Sequence, residues 1–178
     1  MDQKPVNRSA SMERESLSIM ARELEEFKKQ AGADMPFPPD CFTSMKGEFL
    51  EYSSRKSLKV AFPVLRGSLN PQGKMQGGFL TAAFDNAFGP LSYLAARAPC
   101  VTLDIHTQFF RGLEAGETVS IVAEVVARGV GSLYVTAEAF NSAKKLVATS
   151  HTNLLIVNRE PKTMIQKQKG SSDFEKLF

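Results

Sequence analysis

The segment 77–97 constrains this chain more than any other. Phe79, Leu80, Ala82, Ala83, Phe84, Ala87, Phe88, Leu91, Tyr93, Leu94, Ala95 and Ala96 leave it almost no polar side. A helix that is apolar nearly all round has to be covered on most of its surface. Pro90 removes the hydrogen bond its nitrogen would give to the Asn86 carbonyl, so a kink is expected there. Whatever fold forms must supply a continuous apolar wrapping for one long helix.

The flanking sequence offers strands for that purpose. Before the helix, 45–52 reads as a weak strand. Leu58, Val60, Phe62 and Val64 then alternate with Lys59, Ala61 and Pro63, and the proline places this strand near an edge or a bulge. A loop at 66–75 leads into the helix. After Pro99 four strands follow. Their predicted apolar faces are Val101, Leu103, Ile105, Thr107 and Phe109; Val119, Ile121, Ala123 and Val125; Leu133, Val135, Ala137 and Ala139; and Leu146, Ala148, Ser150, Thr152, Leu154 and Ile156. Turns at 112–116, 129–131 and 141–144 predict an antiparallel meander.

At the N-terminus, Leu17, Met20, Leu24, Phe27 and Ala31 recur every three or four positions, which predicts an amphipathic helix over 11–31. Glu13 and Glu15 suit its positive end, Lys28 and Lys29 its negative end, and Gly32 can stop it. Its plain role is a packing arm. The sequence therefore divides into an N-terminal arm and helix at 1–34, a main domain at 35–158 that starts with the stiff stretch Met35-Pro36-Phe37-Pro38-Pro39, and a polar tail at 159–178. The class is α+β: one antiparallel sheet curled around one long buried helix, with an extra N-terminal amphipathic helix.

Composition narrows the functional classes. The 178 residues suit one domain with tails, and 43% hydrophobic with 23% charged residues is ordinary globular usage. A net charge of +3, spread rather than striped, does not suggest nucleic-acid binding. Cys41 and Cys100 stand in unrelated contexts without metal-ligand spacing, so no metal is expected. Low cysteine usage, a polar start and no long apolar run point to a cytoplasmic chain with no membrane partner.

Asp85 is the sharpest chemical signal. It lies inside the apolar helix beside Phe84, Ala87 and Phe88. Burial there would be costly and would raise the pKa of a carboxyl, so something must compensate. The plain alternative is an acid that reaches solvent or pairs with Arg97 or Arg111. Gln76-Gly77-Gly78 opens the same helix, and the free N–H groups at a helix start can hold an oxyanion. A glycine pair can equally be a turn. His106 and His151 fall on the sides of their strands opposite the apolar faces, where most histidines are surface or interface residues. No G-x-S-x-G elbow accompanies them.

From Leu69 to Val157 the chain resembles the hotdog-fold acyl-CoA thioesterases, in particular the phenylacetate-degradation (PaaI)-like branch. The resemblance rests on Asn70-Pro71-Gln72-Gly73-Lys74-Met75-Gln76-Gly77-Gly78 with Phe84-Asp85-Asn86. It continues in Val101-Thr102-Leu103-Asp104, Phe109-Phe110-Arg111, Gly116-Glu117 and Leu146-Val147-Ala148. It implies a hotdog fold and hydrolysis of an acyl-CoA thioester, with Asp85 as general base or nucleophile and the Gly77 N–H as oxyanion donor. It further implies Asn70 and Gln76 as orienting groups, and Thr102 as a hydroxyl near the water, supplied by a partner subunit. Gly78, Arg111 and His151 are candidates for contact with coenzyme A. The family usually has histidine where Gln76 stands, and glutamine cannot titrate near neutrality. The resemblance implies a homodimer or a dimer of dimers and no cofactor beyond the coenzyme A of the substrate. A non-catalytic acyl-CoA binding or sensing protein, or a hotdog hydratase or dehydratase, are the alternatives; the last normally needs a histidine at the site.

Overall fold

The computed structural model describes residues 8–31 and 36–157. The lead before residue 8, the stop at Gly32 and the tail after residue 157 lie outside them. Helix α1 spans Arg8–Ala31, three residues earlier than the periodicity indicates, which takes Glu13 and Glu15 out of its first turn. A short helix α2 (Asp40–Ser44) follows, then strands β1 (Glu48–Ser53) and β2 (Ser57–Pro63), helix α3 (Gly77–Ala96), and strands β3 (Cys100–Phe109), β4 (Thr118–Arg128), β5 (Ser132–Phe140) and β6 (Leu146–Ile156). With five residues, α2 is too short to leave a period in the sequence.

The six strands form one antiparallel sheet in the order β1-β2-β4-β5-β6-β3, with α3 packed across it, which is the hotdog arrangement. Two expectations are corrected here. β2 lies inside the sheet between β1 and β4, and Pro63 is accommodated at the last ladder position, opposite Thr118. Nor do the last four strands form a simple meander. β4, β5 and β6 do, but β3 pairs with β6 at the far edge and β2 takes the place beside β4. The chain after β3 is therefore a crossing link and not a hairpin turn. It is stitched to the loop before α3 by Met75 N–H to Leu113 O at 2.8 Å and to the end of β2 by Gly116 N–H to Val64 O at 3.2 Å. Gly116 has φ +86°, a conformation that favours glycine.

α3 runs unbroken through Pro90. Its C-terminal carbonyls are held by Arg128, whose guanidinium donates to Ala95 O at 2.8 Å and Ala96 O at 3.1 Å. Phe84, Phe88 and Leu91 are fully buried against Leu58, Val60, Ile121, Val135 and Leu154 of the sheet. Truncating such a phenylalanine to alanine typically costs about 3–5 kcal/mol. The helix is nevertheless not covered all round. Gly78, Phe79, Ala82 and Asp85 are exposed, because a single sheet can cover one side of a helix only. α1 adds partial cover at the C-terminal half, with the Phe27 and Tyr93 rings stacked at 5.6 Å. A network anchors α1 to the β1–β2 turn: Tyr52 Oη and Ser54 Oγ donate to Glu23 at 2.5 and 2.6 Å, and Arg55 lies 3.7 Å away.

The register of β3 sets up the site. Leu103 is an extra residue between the pairs Thr102–Leu154 and Asp104–Asn153. A bulge of this kind reverses which side chains face inward. Cys100 and Thr102 before it, and Ile105, Thr107 and Phe109 after it, oppose the inward residues of β6. Strict alternation would have put Val101 and Leu103 on that face. They are instead 52% and 61% exposed.

Candidate active site

Asp85 sits in the middle of α3 with its side chain exposed. The burial that an all-apolar helix implied is therefore absent within the chain. Of the plain alternatives, the acid that reaches solvent is what the single chain shows, and the ion pair is absent among the described residues. Arg97 lies at the C-terminal end of α3 in a left-handed conformation beside Glu23, and Arg111 donates to Leu146 O at 2.5 Å. Among the described residues no cation lies within salt-bridge distance of Asp85. Its partner is Thr102, whose Oγ1 donates to Asp85 Oδ1 at 3.1 Å. This corrects the expectation that Thr102 must come from another subunit, since the bulge at Leu103 turns it inward within the same chain.

Asp85 and Thr102 line a cavity of about 360 Å³ whose walls are mostly apolar. Asn86, Tyr93, Cys41 and Cys100 also line it, and the sequence names none of these four as a site residue. Asn86 is fixed by its neighbours, accepting from Cys41 Sγ at 3.2 Å and donating to Met45 Sδ at 3.4 Å. Burial pushes the Tyr93 hydroxyl above its ordinary range, and the nearby Cys100, Asp85 and Cys41 add to the effect, so it remains a donor. Burial likewise pushes the Cys100 thiol up and keeps it protonated. The available signal was spacing: Asp85, Gly89 and Tyr93 follow one another at intervals of four along the helix.

Gly77, Asn70 and Arg111 meet in a different cavity, of about 440 Å³, beside Lys74, Phe109 and Phe110. Gly77 is the first residue of α3, and its N–H points out of the helix start with no acceptor among the described residues. The Phe109 ring lies over it: a Cβ built at Gly77 would meet Phe109 Cζ at 3.0 Å. At Gly78 a Cβ would meet nothing within 4 Å, so the chain's own packing does not require glycine there. Gln76 is exposed and makes no side-chain cap. Asn70 Oδ1 accepts from Gln72 N–H at 2.9 Å and Lys74 N–H at 3.1 Å, which fixes the loop. Asn141 makes the same pair of bonds in the β5–β6 turn, so this part of the Asn70 geometry is turn chemistry. Only its amide nitrogen is left to act on a ligand. Lys74 is paired with Glu114.

His151 joins neither cavity. It stacks on His106 at 5.0 Å on the outer face of the sheet, beside Tyr134. Gly77 and Asp85 are likewise not brought together. Eight residues at 1.5 Å each separate them by about 12 Å along α3, and the two cavities share no lining residue. A base and an oxyanion donor must both lie about 3 Å from the reacting groups. Within one chain, Asp85 and Gly77 are too far apart to act on one reacting carbonyl.

Residues 72–148 match the model of the thioesterase superfamily. A putative thioesterase, a phenylacetic acid degradation-related protein from Ralstonia eutropha JMP134, is 27% identical over 73% of this chain and 98% of its own, with a TM-score of 0.62. The phenylacetic acid degradation protein PaaI of Thermus thermophilus is 28% identical over 65% and 97%, with a TM-score of 0.61. The Escherichia coli PaaI protein shares the fold at 18% identity over 83% and 96%, with a TM-score of 0.66. No curated protein matches. Among the described residues no helix is long and apolar enough to cross a membrane.

Proposed function

We propose that this chain is an acyl-CoA thioester hydrolase of the PaaI-like kind, a reading supported by the match of residues 72–148 to the thioesterase superfamily and by the likeness to PaaI proteins. Water and R–CO–S–CoA give R–COOH and free coenzyme A. The observation that carries this reading is the Asp85–Thr102 pair, a carboxylate with a hydroxyl donor and no counter-cation among the described residues, set in the wall of an apolar cleft. Thr102 occupies Oδ1. Oδ2 is then available to take a proton from water as a general base, or to attack the carbonyl and form a mixed anhydride that water cleaves. The developing oxyanion goes to the Gly77 N–H at the positive end of α3, with the Asn70 amide nitrogen beside it. Gln76 orients the carbonyl or the water without titrating.

Asp85 of one copy and Gly77 of the other meet when two copies associate. β3 is an edge strand whose outer row of backbone groups has no strand partner among the described residues, and exposed Val101, Leu103, Phe109 and Phe110 surround it. A two-fold axis beside β3 runs the second α3 antiparallel to the first, so the glycine end of one helix meets the middle of the other. The same contact covers the open Phe79–Ala82–Asp85 side of α3. Dimers can pair further into a dimer of dimers.

A panel of acyl-CoA esters assayed for release of free thiol tests the proposal. Steady release by the wild-type chain, lost in Asp85→Asn, is expected. Tight binding of the esters without release by the wild-type chain overturns hydrolysis in favour of an acyl-CoA binding or sensing protein.

A further inference from the structure

The cavity that holds Asp85 extends beyond the segment that matches the superfamily. One wall comes from α3, β3 and β6, but another comes from Leu24 and Lys28 of α1 and from Phe37 in the stretch before α2. On the other side of those three residues lies a second cavity, of about 310 Å³, bounded by Leu17, Met20, Ala21 and Phe49. Leu24, Lys28 and Phe37 line both. They stand as a partition between two mostly apolar spaces, one of which opens on the catalytic carboxylate.

The partition is built to hold its position. Leu24 is 5% exposed and packs in the core. The Phe37 ring stacks on Phe49 at 5.3 Å, and Phe49 stacks on Phe42 at 4.4 Å. Lys28 is held by Glu25 at 3.1 Å on the same helix. A cavity of about 360 Å³ lies at the lower end of the about 300–1,000 Å³ usual for small-molecule sites. It has far more apolar wall than an acetyl group needs.

We infer that the cavity beside Asp85 receives a medium-length apolar acyl group, and that Leu24 and Phe37 set the upper limit on its length. This rests on the hydrolytic reading above. Leu24 and Phe37 are specificity residues in this account. Phe37→Ala opens the cavity into its neighbour, while Leu24→Phe narrows it. In an apolar pocket, changes of about a methylene alter kcat/KM by about 10–200-fold, which is ample to read.

Wild type, Phe37→Ala and Leu24→Phe are compared with butanoyl-, octanoyl- and tetradecanoyl-CoA, with melting temperatures measured on the same preparations. Wild type is expected to favour octanoyl-CoA. In Phe37→Ala the tetradecanoyl-to-octanoyl ratio of kcat/KM rises at least about tenfold, and in Leu24→Phe the octanoyl-to-butanoyl ratio falls by a similar factor. Folded variants that keep the wild-type ratios overturn the partition and leave hydrolysis standing. If Leu24→Phe fails to fold, Phe37→Ala alone decides, because its ring is partly exposed. If wild type cleaves none of the three esters, the medium-length acyl assignment falls, and the wider ester panel judges hydrolysis. The partition is then judged by equilibrium binding of the non-cleavable thioether tetradecyl-CoA. Binding at least about tenfold tighter to Phe37→Ala sustains it, and equal binding overturns it.

Discussion

Thr102 Oγ1 donates to Asp85 Oδ1 at 3.1 Å within one chain, across the gap between an edge strand and the middle of the central helix. The contact exists because Leu103 is an extra residue in β3, which turns Thr102 toward the helix. It fixes one carboxylate oxygen and leaves the other for chemistry. In the proposed reaction it divides the work between copies: base and hydroxyl belong to one chain, and the oxyanion donor about 12 Å along the same helix serves another.

Asp85→Asn keeps the size of the side chain and its hydrogen bond from Thr102 but removes the base or nucleophile. Its kcat should fall about 10²–10⁴-fold. The side chain has no ion-pair partner among the described residues and asparagine keeps its size and hydrogen bond, so the melting temperature should move by less than about 2 °C. Early melting with near wild-type turnover would identify Asp85 as structural.

Thr102→Val should lower kcat about tenfold, the worth of one hydrogen bond of about 1.4 kcal/mol. Thr102→Ser keeps the donor and should recover most of the rate. Equal losses in the two variants would show that the methyl packing of Thr102 matters and the hydroxyl does not.

Division of the site between copies predicts complementation. Gly77→Val places a branched side chain against the Phe109 ring and over the free N–H, and Asp85→Asn removes the carboxylate. Each variant alone should be nearly inactive. Refolded together in equal amounts, half of the dimers are mixed and each mixed dimer has one intact site, so activity should return to about a quarter of wild type. A mixture no more active than its components would place both groups in one chain's site. Light scattering that finds a fully active monomer would have the same force.

Arg128 reaches from β4 to hold Ala95 O and Ala96 O at the negative end of α3. Arg128→Met keeps much of the apolar stem but leaves those carbonyls without the cation. A loss of about 1–2 kcal/mol is expected, seen as a melting temperature lower by about 4 °C. An unchanged melting curve would mean that water replaces the guanidinium at no cost.

Glu23 links α1 to the β1–β2 turn. Partial burial tends to raise its pKa, but the donors Ser54 and Tyr52 and the charge of Arg55 outweigh it and hold the carboxyl below its ordinary range. A pKa depressed in the folded chain contributes stability that is full above the ordinary carboxylate value. That stability is lost as pH falls through the depressed value. Glu23→Gln should therefore melt below wild type at about pH 7, and the gap should close in acid, below the depressed pKa. A gap that stays constant with pH would assign the loss to packing alone.

Much of this could be read from the sequence, for a local reason. Alternation in β2, β4, β5 and β6 records which side of each strand is apolar, and Leu58, Ile121, Val135 and Leu154 are buried as that pattern requires. A run of apolar residues around one acid marked α3 and Asp85 in the same way. The sequence did not reveal what covers each face. The apolar turns of α3 implied cover on all sides, yet one sheet reaches only one side, and Asp85 is left on the open one. Nor did succession along the chain reveal neighbours in space. β3 and β4 read as a hairpin, but β2 already pairs with β4, so β3 lies beside β6 at the edge. Nothing in Val101-Thr102-Leu103-Asp104 marks a bulge, because a bulge comes from matching one strand to another. Side-chain type and periodicity are properties of a segment and can be read from it. Register, edge position and the approach of Thr102 to Asp85 are relations between segments distant in sequence, and only the packed structure decides them.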